Sequence, residues 1–89
     1  MKFDFTGQTA LVTGGTRGIG RAISEAFLKA GAKVIATYLG NDGEAENFKH
    51  ANADHADFLD IHKFDVSDYV AVEKFYKEIE TKYENFQIL

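Results

Sequence analysis

The chain contains no cysteine among its 89 residues. That excludes disulfides, thiolate metal sites and a cysteine nucleophile together. It has no proline either, so no rigid linker divides it. Basic residues are outnumbered, ten against fourteen acids, for a formal net charge of -4. This balance argues against a nucleic-acid partner, whose phosphates are met by clustered Lys and Arg. No apolar run approaches membrane-spanning length, and the start, Met1-Lys2-Phe3-Asp4-Phe5, lacks the apolar core of a signal peptide. The expectation is a soluble, cytoplasmic chain that makes no membrane contact.

What is present is the composition of an ordinary globular domain, 45% apolar and 27% charged. The length allows one small domain over residues 1–89. A domain this short buries only about 60–65% of its unfolded surface. With no disulfide to compensate, its stability is marginal unless something else covers its apolar faces. The three histidines, His50, His55 and His62, are separated by five and seven residues. That matches no zinc pattern, and they read as surface residues.

Hydrophobic periodicity divides the chain into alternating elements. Thr9-Ala10-Leu11-Val12 is a short apolar run ending in glycines, a buried strand. From Gly18, the residues Ile19, Ala22, Ile23, Ala26, Phe27 and Ala30 recur at spacings of three and four, a helix face assigned to the core, and Gly31 stops that helix. Lys33 to Tyr38 is a second strand, and Asp42 to His50 a short helix. Phe58 to Asp65 reads as a third strand, followed by Ser67 as an N-cap with Asp68 in the first turn. The next helix carries the stripe Val72, Phe75, Tyr76, Ile79 and Tyr83, and Phe86 to Leu89 opens a fourth strand. Alternation of this kind implies a Rossmann-like α/β fold, a parallel sheet wound by right-handed crossovers.

The chemistry lies between the first strand and first helix, in Thr13-Gly14-Gly15-Thr16-Arg17-Gly18-Ile19-Gly20. A helix N-terminus offers unpaired N–H groups and the positive end of its dipole to a phosphate. Glycines let the backbone turn tightly and approach the ligand closely. The spacing from Gly15 to Gly20 suits a nucleoside-triphosphate loop, but Arg21 and Ala22 stand where Lys and Ser or Thr are required. ATP hydrolysis has no machinery here, and a dinucleotide is the better ligand.

The run Thr13 to Gly20, with glycines at 14, 18 and 20, resembles the cofactor loop of the short-chain dehydrogenase/reductase family. Asp65-Val66-Ser67-Asp68 resembles the family's Asp-Val-Thr-Asp segment. The resemblance runs the length of the chain. It is strongest to 3-oxoacyl-acyl-carrier-protein reductases of fatty acid biosynthesis, although sugar and steroid reductases share these motifs. It implies that Gly14, Thr16, Arg17, Gly18, Ile19, Gly20, Tyr38, Asp65 and Val66 form the cofactor site, with Asp65 at the adenine amino group.

Charge decides which cofactor is expected. An NAD-type site places a carboxylate at the end of the second strand, where it accepts the ribose 2′-hydroxyl. Here that strand ends Thr37-Tyr38-Leu39 and the first acid afterwards is Asp42. With Arg17 in the loop to pair with a 2′-phosphate, NADP(H) is expected.

The family's proton donor is a Tyr followed by Lys four residues later. Tyr38, Tyr69, Tyr76 and Tyr83 are followed at that distance by Asp42, Glu73, Glu80 and Gln87. The two serines, Ser24 in a helix and Ser67 at a cap, do not fit the family's catalytic serine. No catalytic residue is therefore assigned, and the 89-residue chain by itself is expected to be inactive. The expectation is the N-terminal, NADPH-binding portion of a longer carbonyl reductase that acts on a small or acyl-carrier-protein-bound ketone. The alternative is a non-catalytic nucleotide-binding module or a self-associating fragment. An unpaired edge at the fourth strand predicts homo-oligomers or aggregates.

Overall fold

The computed structural model describes residues 4–63, 65–83 and 85–88, so Met1 to Phe3, Phe64, Glu84 and Leu89 lie outside the described residues. Its elements are β1 (Thr9–Thr13), α1 (Gly18–Lys29), β2 (Lys33–Tyr38), α2 (Asp42–Ala51), β3 (Leu59–Lys63), α3 (Tyr69–Lys82) and β4 (Gln87–Ile88). The strands form one parallel sheet in the order β3-β2-β1-β4. The winding reverses at β1, because β2 and β3 lie on one side of it and β4 on the other. In open parallel sheets, ligands bind beyond the carboxyl ends of the strands at such a reversal. Thr13, the last residue of β1, stands there.

Side-chain alternation along the central strands builds two cores. Ala10, Val12, Val34 and Ala36 face α1 and α2, where Leu28 and the fully buried Phe48 close the layer. Leu11 and Ile35 face the other way, onto Phe75 and Ile79 of α3. Strands apolar on both faces are what a parallel sheet covered by helices requires. Burying a ring such as Phe48 contributes about 2–3 kcal/mol.

The stop at Gly31 is a Schellman motif. Gly31 has φ +94, its N–H donates to Leu28 O at 3.1 Å, and the Ala32 N–H donates to Phe27 O at 3.0 Å.

Three expectations are corrected. The third strand begins at Leu59 rather than Phe58, which ends a 3-10 segment, Ala53–Phe58, and is exposed. The cap of α3 is Asp68, not Ser67: its carboxylate accepts from Val70 N and Ala71 N. Asp68 wins because Ser67 is engaged with Asp65, its N–H and hydroxyl lying 2.8 and 2.7 Å from Asp65 Oδ1.

The third correction concerns α1. Its apolar stripe is not core, since Ile19 is 82% exposed and Ala22, Ile23 and Ala26 also lie on the surface. The helix instead turns Gly20, Ser24 and Leu28 toward the sheet, with Phe27 at the edge of that contact. Close approach of α1 to the β1 loop needs small residues at 20 and 24, so packing distance sets the rotation of the helix ahead of apolar area.

Candidate functional site

The loop from Thr13 to Arg17 turns the chain from β1 into α1. Gly14 (φ +66) and Gly18 (φ +59) hold left-handed backbone that favours glycine. Gly20 is required for a different reason. A Cβ there would meet the Gly14 carbonyl oxygen at 2.0 Å, so the first turn of α1 packs directly on the loop. Two bonds fix the far side: Gly15 N donates to Thr37 O at 3.2 Å, joining the loop to β2, and the buried Ser24 hydroxyl bridges the carbonyls of Gly15 (3.1 Å) and Gly20 (2.9 Å).

The N-terminus of α1 has no side-chain cap and no acid in its first turn. The other two helices are capped, α2 by Asn41 and α3 by Asp68. Uncapped N–H groups at the positive end of a helix dipole suit an anion. Arg17, the residue before α1, is exposed beside them and adds a full positive charge.

Beyond the ends of β1 and β2 lies a cavity of about 350 Å³ lined by Thr13, Gly14, Thr37, Tyr38, Leu39 and Val66. Val66 is 58% and Leu39 56% exposed, so each offers apolar surface to a flat ring. Among the described residues, no carboxylate lines the cavity. A larger depression of about 470 Å³ lies between α2 and β3, but no residue of the glycine loop is among its described lining, and of the smaller cavity's residues it shares Tyr38. The smaller cavity is the candidate site, because it adjoins both the loop and the uncapped helix.

The structure therefore brings Gly14, Tyr38 and Val66 to one cavity and sets Arg17, Gly18, Ile19 and Gly20 at the adjoining helix N-terminus. Thr16 lies within the same loop but is buried, 2% exposed, so its side chain packs rather than faces outward. Asp65 precedes Val66. Its Oδ1 is held by the Ser67 hydroxyl and then by the Ser67 N–H, in that order of effect, and these bonds keep its carboxyl below the usual range. Its Oδ2 makes no hydrogen bond among the described residues and remains available as an acceptor. Thr37 and Leu39 line the cavity although the motif did not single them out. Ser24 went unassigned because its role is to fasten the loop; the signal was a small polar residue one helical turn after Gly20.

Residues 8–89 match the family described as short chain dehydrogenase. The chain belongs to the short-chain dehydrogenase family. Members of this family use nicotinamide cofactors. The chain is 50% identical over 64 residues to the acetoacetyl-CoA reductase of Shinella zoogloeoides, a match covering 72% of this chain and 24% of that protein. It is 46% identical over 61 residues to 3beta-hydroxysteroid dehydrogenase 2 of Eggerthella lenta, covering 68% and 23%. Among solved structures it resembles a short-chain dehydrogenase/reductase, glucose/ribitol dehydrogenase, from Brucella melitensis, with a TM-score of 0.80 at 30% identity, covering 97% of this chain and 36% of that one. A Bacillus thuringiensis chain described as a candidate 3-oxoacyl-reductase superposes with a TM-score of 0.84 at 26% identity, covering 96% and 35%. The chain thus spans about a quarter of the length of these curated relatives and about a third of the solved chains. Among the described residues no helix is long and apolar enough to cross a membrane, and no group of three or more His, Cys, Asp or Glu is placed to hold a metal ion.

Proposed function

We propose that these residues form the NADP(H)-binding part of a cytoplasmic carbonyl reductase that passes hydride to the ketone of a 3-oxoacyl thioester. The observation that carries this reading is the uncapped N-terminus of α1, with Arg17 beside it and a cavity whose lining, among the described residues, contains no carboxylate. The residues fit a dinucleotide: the α1 amides would hold the pyrophosphate, Arg17 the 2′-phosphate, and Leu39 and Val66 the faces of the adenine, with Asp65 Oδ2 as acceptor for its amino group. When bound, the cofactor supplies the hydride. The part played by this segment is to bind and orient it.

The acyl-thioester substrate is supported by likeness to acetoacetyl-CoA reductases. NADP is supported by Arg17 and by the 49% identity over 43 residues to L-rhamnose 1-dehydrogenase (NADP(+)) of Thermoplasma acidophilum, a match covering 48% of this chain and 17% of that protein. No tyrosine here is followed by lysine four residues on, so the reading assigns these residues the cofactor and not the proton donor. Assembly as a homo-oligomer belongs to the same proposal, on the strength of the apolar stripe exposed along α1.

The test is calorimetric titration of these residues with NADPH and with NADH, and an assay of NADPH oxidation with acetoacetyl-CoA by a longer reductase that contains them. Saturable binding that is tighter for NADPH, and turnover with the thioester, are expected. Tighter binding of NADH overturns the cofactor assignment. Turnover with sugars or steroids but not the thioester overturns the substrate.

A further inference from the structure

Asp42 is the first acid after β2, four residues past Tyr38, the strand end from which a carboxylate would accept the ribose 2′-hydroxyl of NAD and repel the 2′-phosphate of NADP. In this chain its charge is answered by Lys63. Lys63 ends β3 and stands in register beside Tyr38, a residue of the cavity wall. Its ammonium lies 3.0 Å from one Asp42 oxygen and 3.2 Å from the other. Both oxygens are thus engaged by one cation at the head of α2, three residues past the Leu39 that lines the cavity.

We propose that Lys63 is a specificity-determining positioning residue, which favours NADPH over NADH by neutralising Asp42 and occupying its oxygens. This rests on the reading of the site as a nicotinamide-dinucleotide site. The bond to Lys63 holds the Asp42 carboxyl below its usual range, with a smaller contribution from Tyr38, and Asp42 in turn holds the ammonium above its own. The two stay charged together through the neutral range, and the corner presents no net charge to a phosphate. Both side chains are largely exposed, 52% and 67%, and exposed pairs contribute little to stability. Removing Lys63 therefore leaves the fold in place while freeing a carboxylate at the head of α2, just beyond the strand end that would face the ribose.

The experiment is fluorescence titration of the protein with NADPH and with NADH for the wild type, Lys63→Ala, Lys63→Arg and the double variant Lys63→Ala/Asp42→Asn. The quantity read is the ratio of the two dissociation constants. Lys63→Ala shifts the ratio about fivefold toward NADH, the effect of one released charge on a nearby phosphate in screened water. Lys63→Arg keeps the wild-type ratio and the double variant regains it, with thermal midpoints unchanged throughout. An unshifted ratio in Lys63→Ala overturns the proposal. So does a double variant that stays shifted, since Lys63 would then act on the phosphate directly. A wild type that prefers NADH yet shows the same shift and rescue overturns the NADPH reading alone. A protein that binds neither cofactor overturns both.

Discussion

The Ser24 hydroxyl lies 3.1 Å from the Gly15 carbonyl and 2.9 Å from the Gly20 carbonyl, with the serine itself fully buried. One side chain thus fastens the glycine loop to the helix whose N-terminus it serves. A serine inside a helix commonly bonds back to the carbonyl four residues earlier. Here it reaches out of the helix as well, to a loop carbonyl that would otherwise be buried without it. Ser24→Ala strands that carbonyl and costs about 1–3 kcal/mol. Urea denaturation should show the loss in its midpoint with an unchanged slope, and a midpoint equal to that of the wild type would refute the latch.

Gly20 makes a sharper prediction because the clash is with backbone. A methyl group at Gly20 meets the Gly14 oxygen at 2.0 Å, whereas one at Gly40 meets nothing within 4 Å. Gly20→Ala must push α1 away from the loop, at a cost of about 1–3 kcal/mol, and it scatters the amides that face an anion. NADPH binding should weaken at least about tenfold, the equivalent of 1.4 kcal/mol. Gly40→Ala should leave binding alone. Equal behaviour of the two variants in a titration would remove the packing argument.

These two residues also show what could be read from the sequence. The glycine spacing and the strand-helix alternation were legible because each reports a local constraint: a positive φ at Gly14 and Gly18, a period of two or of three to four in the elements. The burial of α1 was not legible from its apolar residues. Ile19 and Ile23 sit on a flank, while the inward face carries Gly20 and Ser24, chosen for closeness rather than hydrophobicity. The stripe of α3 did report its core, with Phe75 and Ile79 buried, because that helix packs on flat sheet with no loop beneath it. The pairing of Asp42 with Lys63 spans 21 residues and depends on the β2–β3 register, which nothing local encodes.

The end of β3 shows the same limit at the Asp68 cap. Its carboxylate accepts from the N–H groups of Val70 (3.1 Å) and Ala71 (3.2 Å). Asp68→Ala should lower stability by about 1 kcal/mol. Ser67→Ala should cost less stability, since Ser67 serves the Asp65 turn. Guanidinium midpoints that rank the two variants the other way would return the cap to Ser67.

Asp60 carries an acid-sensitive contact between β3 and α3. Its Oδ2 accepts from Lys82 Nζ at 3.0 Å and from the Tyr83 hydroxyl at 3.1 Å, and His62 Nε2 lies 3.1 Å from Oδ1 without hydrogen-bond alignment. Burial pushes its carboxyl up, but Lys82, His62 and Tyr83 together outweigh burial and leave it lowered. A carboxyl lowered by folding gives stability that is fully present above its unfolded value near 4 and is lost as pH falls through the folded value. The wild-type denaturation midpoint should thus fall more steeply than that of Asp60→Asn on acidification from about pH 5 downward. Parallel curves would show that the cluster does nothing for the fold.

Arg17 is the remaining charged group at the site, and its position separates two roles. It precedes α1 in extended backbone, φ -152 and ψ 164, and its side chain does not cap the helix. The fold does not depend on its guanidinium, so a substitution there reads recognition rather than folding. A charge-assisted bond to a phosphate is worth about 1.5–3 kcal/mol, so Arg17→Ala should weaken NADPH by roughly ten- to a hundredfold. NADH, which has no 2′-phosphate, should bind as before. Lys at this position supplies charge without the planar fork and should recover only part of the loss. If calorimetry shows NADH and NADPH weakened alike, Arg17 acts on the pyrophosphate that both share. The preference for NADPH would then rest on the Asp42–Lys63 corner alone.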